Sequence, residues 1–96
     1  MAYADDILRE LRRLQGELKT RYPIRSMALF GSVVRGDFGE GSDVDILVEF
    51  DGRVGSRFID LAEELEAILQ RKVDLVSRRG IKAGYFAAIQ SELRYV

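Results

Sequence analysis

The 96-residue sequence predicts an α/β (α+β) fold, a small mixed β-sheet with helices packed on it. Three observations lead there. Apolar residues recur at helical spacing in two long stretches, short apolar runs bounded by turn residues lie between them, and one long helix separates the last two runs. Ile7, Leu11, Leu14 and Leu18, with Leu8 beside them and charges between, predict an amphipathic helix from about Asp5 to Thr20. Pro23, the only proline, closes the next turn. Ser26–Phe30 reads as a short strand, Ser32–Gly36 as a brief helix, and Gly36, Gly39 and Gly41 as a loop in which Asp37 and Glu40 face solvent.

Asp45–Phe50 reads as the second strand, ended by Asp51-Gly52. Phe58, Leu61, Ala62, Leu65, Ile68 and Leu69 place a helix from about Arg57 to Gln70. Arg71–Ser77 forms a third strand, and Tyr85, Phe86, Ile89 and Leu93 mark a last short helix. No repeat, low-complexity tract or linker breaks the pattern, so residues 1–96 read as one domain with a single modest core.

Composition narrows the chemistry. Apolar residues make up 47% and charged residues 32%, as in an ordinary globular protein, and no run approaches a membrane span. The acidic start Met1-Ala2-Tyr3-Ala4-Asp5-Asp6 is unlike a signal peptide, so the expected location is the cytoplasm. Cysteine and histidine are both absent, which excludes disulfides, thiolate zinc sites and cysteine nucleophiles. Any general base must be Asp, Glu, Lys or Tyr, and any metal site must be built of oxygen ligands, as magnesium or manganese prefers. A formal net charge of −1 argues against a long nucleic acid as substrate.

The densest chemical signal is Gly31-Ser32, ten residues, then Asp43-Val44-Asp45, with a further acid, Asp74, inside the run Lys72-Val73-Asp74-Leu75-Val76. Four such fixed positions arise by chance in about one chain per thousand of this size. Asp43 and Asp45 are two apart and point to the same side of an extended strand. Two carboxylates held close repel unless a cation lies between them, and a magnesium ion carrying a triphosphate would resolve that. The plainer reading makes Ser42-Asp43 the turn that ends the glycine loop. Glycine at position 31 lets backbone approach a phosphate, and Ser32 can offer hydroxyl and N–H; Ser32 can equally be a helix cap. Asp74 interrupts a strand of Val73, Leu75 and Val76, as an exposed edge residue or a third acid of the site.

If Gly31-Ser32 and Asp43/Asp45 share one site, the first strand ends where the second begins, and the two run antiparallel. Asp74 lies early in its strand, so the third strand runs parallel to the second, with helix 57–70 as the right-handed crossover. Arg35 neutralises phosphate or ties down the glycine loop, with the structural role favoured. Lys72, Arg78, Arg79 and Lys82 are further phosphate candidates, though most such charges are solvated. Tyr85 and Phe86 could flank a base but read better as packing of the last helix.

Phe30-Gly31-Ser32-Val33-Val34-Arg35-Gly36-Asp37 and Ser42-Asp43-Val44-Asp45-Ile46-Leu47-Val48 resemble the signature of the polymerase-β-type nucleotidyltransferase superfamily. Within it they resemble the minimal nucleotidyltransferases, antitoxins encoded beside HEPN-domain toxins. Valine at position 34 departs from the small residue the family often has there. The resemblance spans roughly Ile24 to Val76 and implies the polymerase-β-type fold and transfer of AMP from ATP to a hydroxyl, a tyrosine of a HEPN toxin. On that basis Asp43 and Asp45 would bind two magnesium (or manganese) ions, and Asp74 would share one and take the proton of the attacking hydroxyl. Gly31, Ser32, Arg35 and Ser42 would bind the nucleotide, and toxin and antitoxin would form a hetero-oligomer. Two other readings stand beside this one: a non-catalytic antitoxin acting by binding alone, and transfer to a small molecule such as an aminoglycoside hydroxyl.

Overall fold

The computed structural model describes residues 3–37, 39 and 41–96. Glu40, expected to face solvent, lies outside the described residues. Helix α1 (Tyr3–Arg21) leads into β1 (Ile24–Phe30), the single-turn α2 (Ser32–Arg35) and β2 (Val44–Phe50). Helix α3 (Arg57–Leu69), β3 (Val73–Ser77) and α4 (Ala83–Ile89) follow, then a 3₁₀ turn (Gln90–Glu92) and β4 (Arg94–Tyr95). Among the described residues, no helix is long and apolar enough to cross a membrane.

The four strands form one sheet in the order β3-β2-β1-β4. As expected, β1 and β2 are antiparallel, β2 and β3 are parallel, and α3 makes the connection between the parallel pair. Strand alternation gives the sheet two apolar faces. On one, Leu29, Ile46, Val48 and Leu75 meet Leu8, Leu11 and Leu18 of α1 and Leu61 and Leu65 of α3. On the other, Phe30 and Leu47 pack with Ile89, flanked by Val76, Phe86 and Leu93. Asp45 alternates with Ile46 and Asp74 with Leu75, so both acids fall on this second face, beyond the edge of its apolar cluster.

The helices lie where their apolar stripes predict, and their ends have local causes. Leu14 is only half-buried, unlike the rest of the α1 stripe. Glu64 of α3 holds the end of α1 by an ion pair with Arg21 and accepts a hydrogen bond from the Tyr22 hydroxyl at 3.0 Å. Gln70 stops α3 in a left-handed conformation (φ 56°), its N–H donating to the Glu66 carbonyl. That turn uses up Arg71 and Lys72, so β3 starts at Val73, two residues later than expected.

The C-terminal segment differs most from expectation. The last helix stops at Ile89, before Leu93, and the chain turns to lay β4 against β1 through Ala28↔Tyr95 and Leu29↔Arg94. A two-residue strand has no periodicity of its own; it exists because β1 offers an otherwise unpaired edge. The Val96 N–H to the Met27 carbonyl (2.9 Å), Arg12 to the Tyr95 carbonyl (2.8 Å) and the Arg94–Asp5 pair (2.8 Å) fasten it.

Candidate active site

The site is assembled where β1 ends and β2 begins. Phe30 is the cross-strand partner of Asp45, which brings the Gly31-Ser32 turn beside the second strand. Gly31 adopts φ 78°, ψ −152°, a conformation open in practice only to glycine. A Cβ there would run into Oδ2 of Asp45. Backbone and carboxylate therefore touch across the strand pair, and no other residue type fits between them.

Gly31 also caps α2, its carbonyl accepting from the N–H groups of Val34 and Arg35, both at 3.0 Å. Ser32 is thus the first helical residue and not the cap. Its hydroxyl is half-exposed and has no partner among the described residues. Gly36 ends this turn in the left-handed region (φ 90°), donating to the Ser32 carbonyl.

Asp45 and Asp74 are register partners on the parallel strands and share a side-chain hydrogen bond. Burial raises the Asp45 carboxyl to about 6, and the charges of Asp74 and then Asp43 push the same way, while Arg35 pulls it down. Below about pH 6 the Asp45 carboxyl therefore keeps its proton, which lessens the repulsion among the neighbouring acids. Asp43 stands at the exposed end of the loop and reaches Asp45 through its charge. Among the described residues, no three acids converge into a ready-made metal cage. The expected trio is therefore a joined pair, Asp45 and Asp74, with Asp43 alongside. The pair still suits a divalent cation, which would replace the Asp45 proton and relieve the repulsion.

The remaining candidates divide. The Ser42 hydroxyl accepts the Gly39 N–H at 3.0 Å and closes the glycine loop, the plainer of its two roles. Ser42, Asp43 and Lys72 line a cleft of about 660 Å³ with Gly41 and Leu69–Arg71, which puts Lys72 in one cleft with Asp43. Arg78 follows the last residue of β3, about 13 Å along the strand from Asp74, and lies 3.7 Å over the Phe86 ring. It and Arg79 line a separate cleft with Arg53, at the far end of the sheet from the acids. Lys82 precedes α4 and is exposed. Phe86 packs as expected, but Tyr85 is 51% exposed, its ring edge-on to Phe30 at 6.4 Å.

Glu92 is the site residue that sequence reasoning missed. Its Oε1 accepts the Gly31 N–H at 2.9 Å and its Oε2 pairs with Arg35 Nη1 at 3.1 Å. The Gly31 hydrogen bond, with Arg35 behind it, holds the Glu92 carboxyl below the usual glutamate range. Arg35 also approaches Asp37 at 3.8 Å, so as the chain stands its guanidinium ties the glycine turn to the C-terminal segment. Ser91-Glu92-Leu93 carries no local signal, and the contact spans 61 positions.

A glycine-only turn thus packs on the Asp45–Asp74 pair where β1 ends and β2 begins. The sequence pattern described as a nucleotidyltransferase domain matches residues 11–96, and the chain belongs to that family. It is an enzyme of nucleotidyl transfer. It is similar to the protein adenylyltransferase MntA of Thermococcus cleftensis, 45% identical over 82 residues that cover 83% of this chain and 82% of that one. A solved minimal nucleotidyltransferase superimposes with a TM-score of 0.78 at 34% identity, covering 93% of this chain and 92% of the other. The fold is also that of the MNT antitoxin solved in complex with a tri-AMPylated HEPN toxin of Shewanella oneidensis: TM-score 0.67, 21% identity, 93% and 70% coverage.

Proposed function

We propose that this chain is an antitoxin that transfers AMP from ATP to a hydroxyl, a tyrosine's, on a partner HEPN-type toxin in the cytoplasm, within a hetero-oligomer of the two proteins. The observation that carries the reading is the contact of Gly31 with Asp45 and of Asp45 with Asp74, which puts a glycine turn against an acid pair. The likeness to an adenylyltransferase supports AMP as the group moved, and the likeness to an antitoxin bound to an AMPylated toxin supports a protein acceptor.

In this reading Ser32, whose hydroxyl has no partner among the described residues, and Arg35 hold the β and γ phosphates at the Gly31 turn. Asp43, Asp45 and Asp74 would hold two magnesium ions, which when bound would neutralise charge on the phosphate oxygens. Asp74, the more exposed of the acid pair, takes the proton of the acceptor hydroxyl. The hydroxyl oxygen forms its bond to the α-phosphorus as the bond to the β-phosphate bridging oxygen breaks, and pyrophosphate leaves. In this reading the acceptor hydroxyl is presented by the partner.

The test is a labelling assay in host lysate with α-labelled ATP, comparing wild type with an Asp43→Asn/Asp45→Asn variant. A magnesium-dependent protein band given by wild type alone, and lost when the label is moved to the γ-phosphate, supports AMP transfer. If no band appears and the double variant captures the same partner as wild type, the chain neutralises by binding alone.

A further inference from the structure

We infer that Glu92 is an internal stand-in for the triphosphate: its carboxylate occupies the Gly31 N–H and the Arg35 guanidinium, and nucleotide binds by displacing it. The inference rests on the nucleotide reading of the site and adds the groups that compete for it.

Both carboxylate oxygens are engaged, Oε1 on the Gly31 N–H at 2.9 Å and Oε2 on Arg35 at 3.1 Å. A carboxylate offers two acceptor oxygens and a negative charge, as the edge of a phosphate does, and charge-assisted bonds to N–H and guanidinium groups are the strong kind. One amide N–H cannot serve the carboxylate and a phosphate oxygen equally, and Arg35 already divides itself between Glu92 and Asp37. Asp43, Asp45 and Asp74 add negative charge alongside. A triphosphate entering with Glu92 in place would meet its donors taken and another anion beside it.

The neighbouring segment is built to let the side chain move while the backbone stays. Glu92 ends a 3₁₀ turn, and its side chain keeps 19% of its surface exposed, so rotation about its own bonds takes the carboxylate to water. The following β4 stays on β1 through its register pairs, with Val96 on the Met27 carbonyl and Arg12 on the Tyr95 carbonyl. Displacement therefore needs no unfolding of the tail.

The competition is read with full-length protein by calorimetry in magnesium buffer, titrating ATP and AMP into wild type and E92Q. Glutamine keeps an acceptor for the Gly31 N–H and removes the charge. ATP affinity is expected to rise about fivefold in E92Q, an effect that added salt reduces, while AMP, which lacks the β and γ phosphates, binds both proteins alike. A merely structural Glu92 would change ATP and AMP binding together, or weaken ATP binding, and either result overturns the inference. The second readout needs no variant: the Glu92 side-chain carboxyl carbon of wild type, followed by NMR, should move to the shift of a free glutamate as ATP is added. A carboxyl signal that stays put while ATP saturates the protein overturns it. If neither protein binds ATP, the nucleotide reading falls, and this inference falls with it.

Discussion

Asp45 and Asp74 stand opposite each other on the parallel strands β2 and β3, and their side chains share a hydrogen bond. Parallel pairing in register places them on one face, and the site uses that repulsive contact in place of an apolar pair.

The Asp45 carboxyl, raised to about 6, makes stability of the metal-free protein depend on pH. Below the ordinary aspartate range the folded and unfolded chains are both protonated there. Between about 4 and 6 the folded chain holds the proton more tightly, so stability falls as pH rises through that window and stays low above it. Thermal melts in chelator should show Tm declining from pH 5 to pH 7.5, with Asp45→Asn flattening the decline and melting higher than wild type at pH 7.5. Magnesium should raise the wild-type Tm at pH 7.5 and leave that of Asp45→Asn nearly unchanged.

Gly31→Ala should damage both fold and site. Its methyl must displace the Asp45 carboxylate, and φ 78° is strained for any L side chain. Denaturant melts should show a loss of about 1–3 kcal/mol, and nucleotidyl transfer should fall by more than the folded fraction explains.

Leu61 of α3 is fully buried in the core cluster that α3 shares with α1 and the sheet, on the face away from the acids. Leu61→Ala should cost about 2–5 kcal/mol in denaturant melts, and activity per folded molecule should be retained.

Arg78 lies on the Phe86 ring at the far end of β3. Arg78→Ala should cost about 0.5–2 kcal/mol of stability and leave the KM for ATP unchanged. A KM raised tenfold would return Arg78 to the phosphate site.

The order of elements and the direction of three strands were legible because the pattern is local: leucines at helical spacing, β-branched runs between turn residues, a crossover of the needed length. Gly31, Asp45 and Asp74 could be placed together because their positions at strand ends leave few sheets that unite them. The meeting of Gly31 with Asp45 is a contact of atoms, and the spacing of residues does not contain it. β4 was illegible because its two residues are a strand only on the edge of β1, and Glu92 because its partners lie 61 and 57 positions away. Ser42 showed the opposite limit: a serine beside an aspartate suits a turn and a phosphate site alike, and the Gly39 hydrogen bond that closes the loop is an atomic contact the spacing does not contain.

The most direct test of the central claim is the intact mass of the partner toxin purified after co-expression with wild type and with Asp45→Asn. AMP transfer predicts toxin carrying one or more AMP groups on tyrosine beside wild type, and unmodified toxin that still arrests growth beside Asp45→Asn. Unmodified but silenced toxin with both would contradict it.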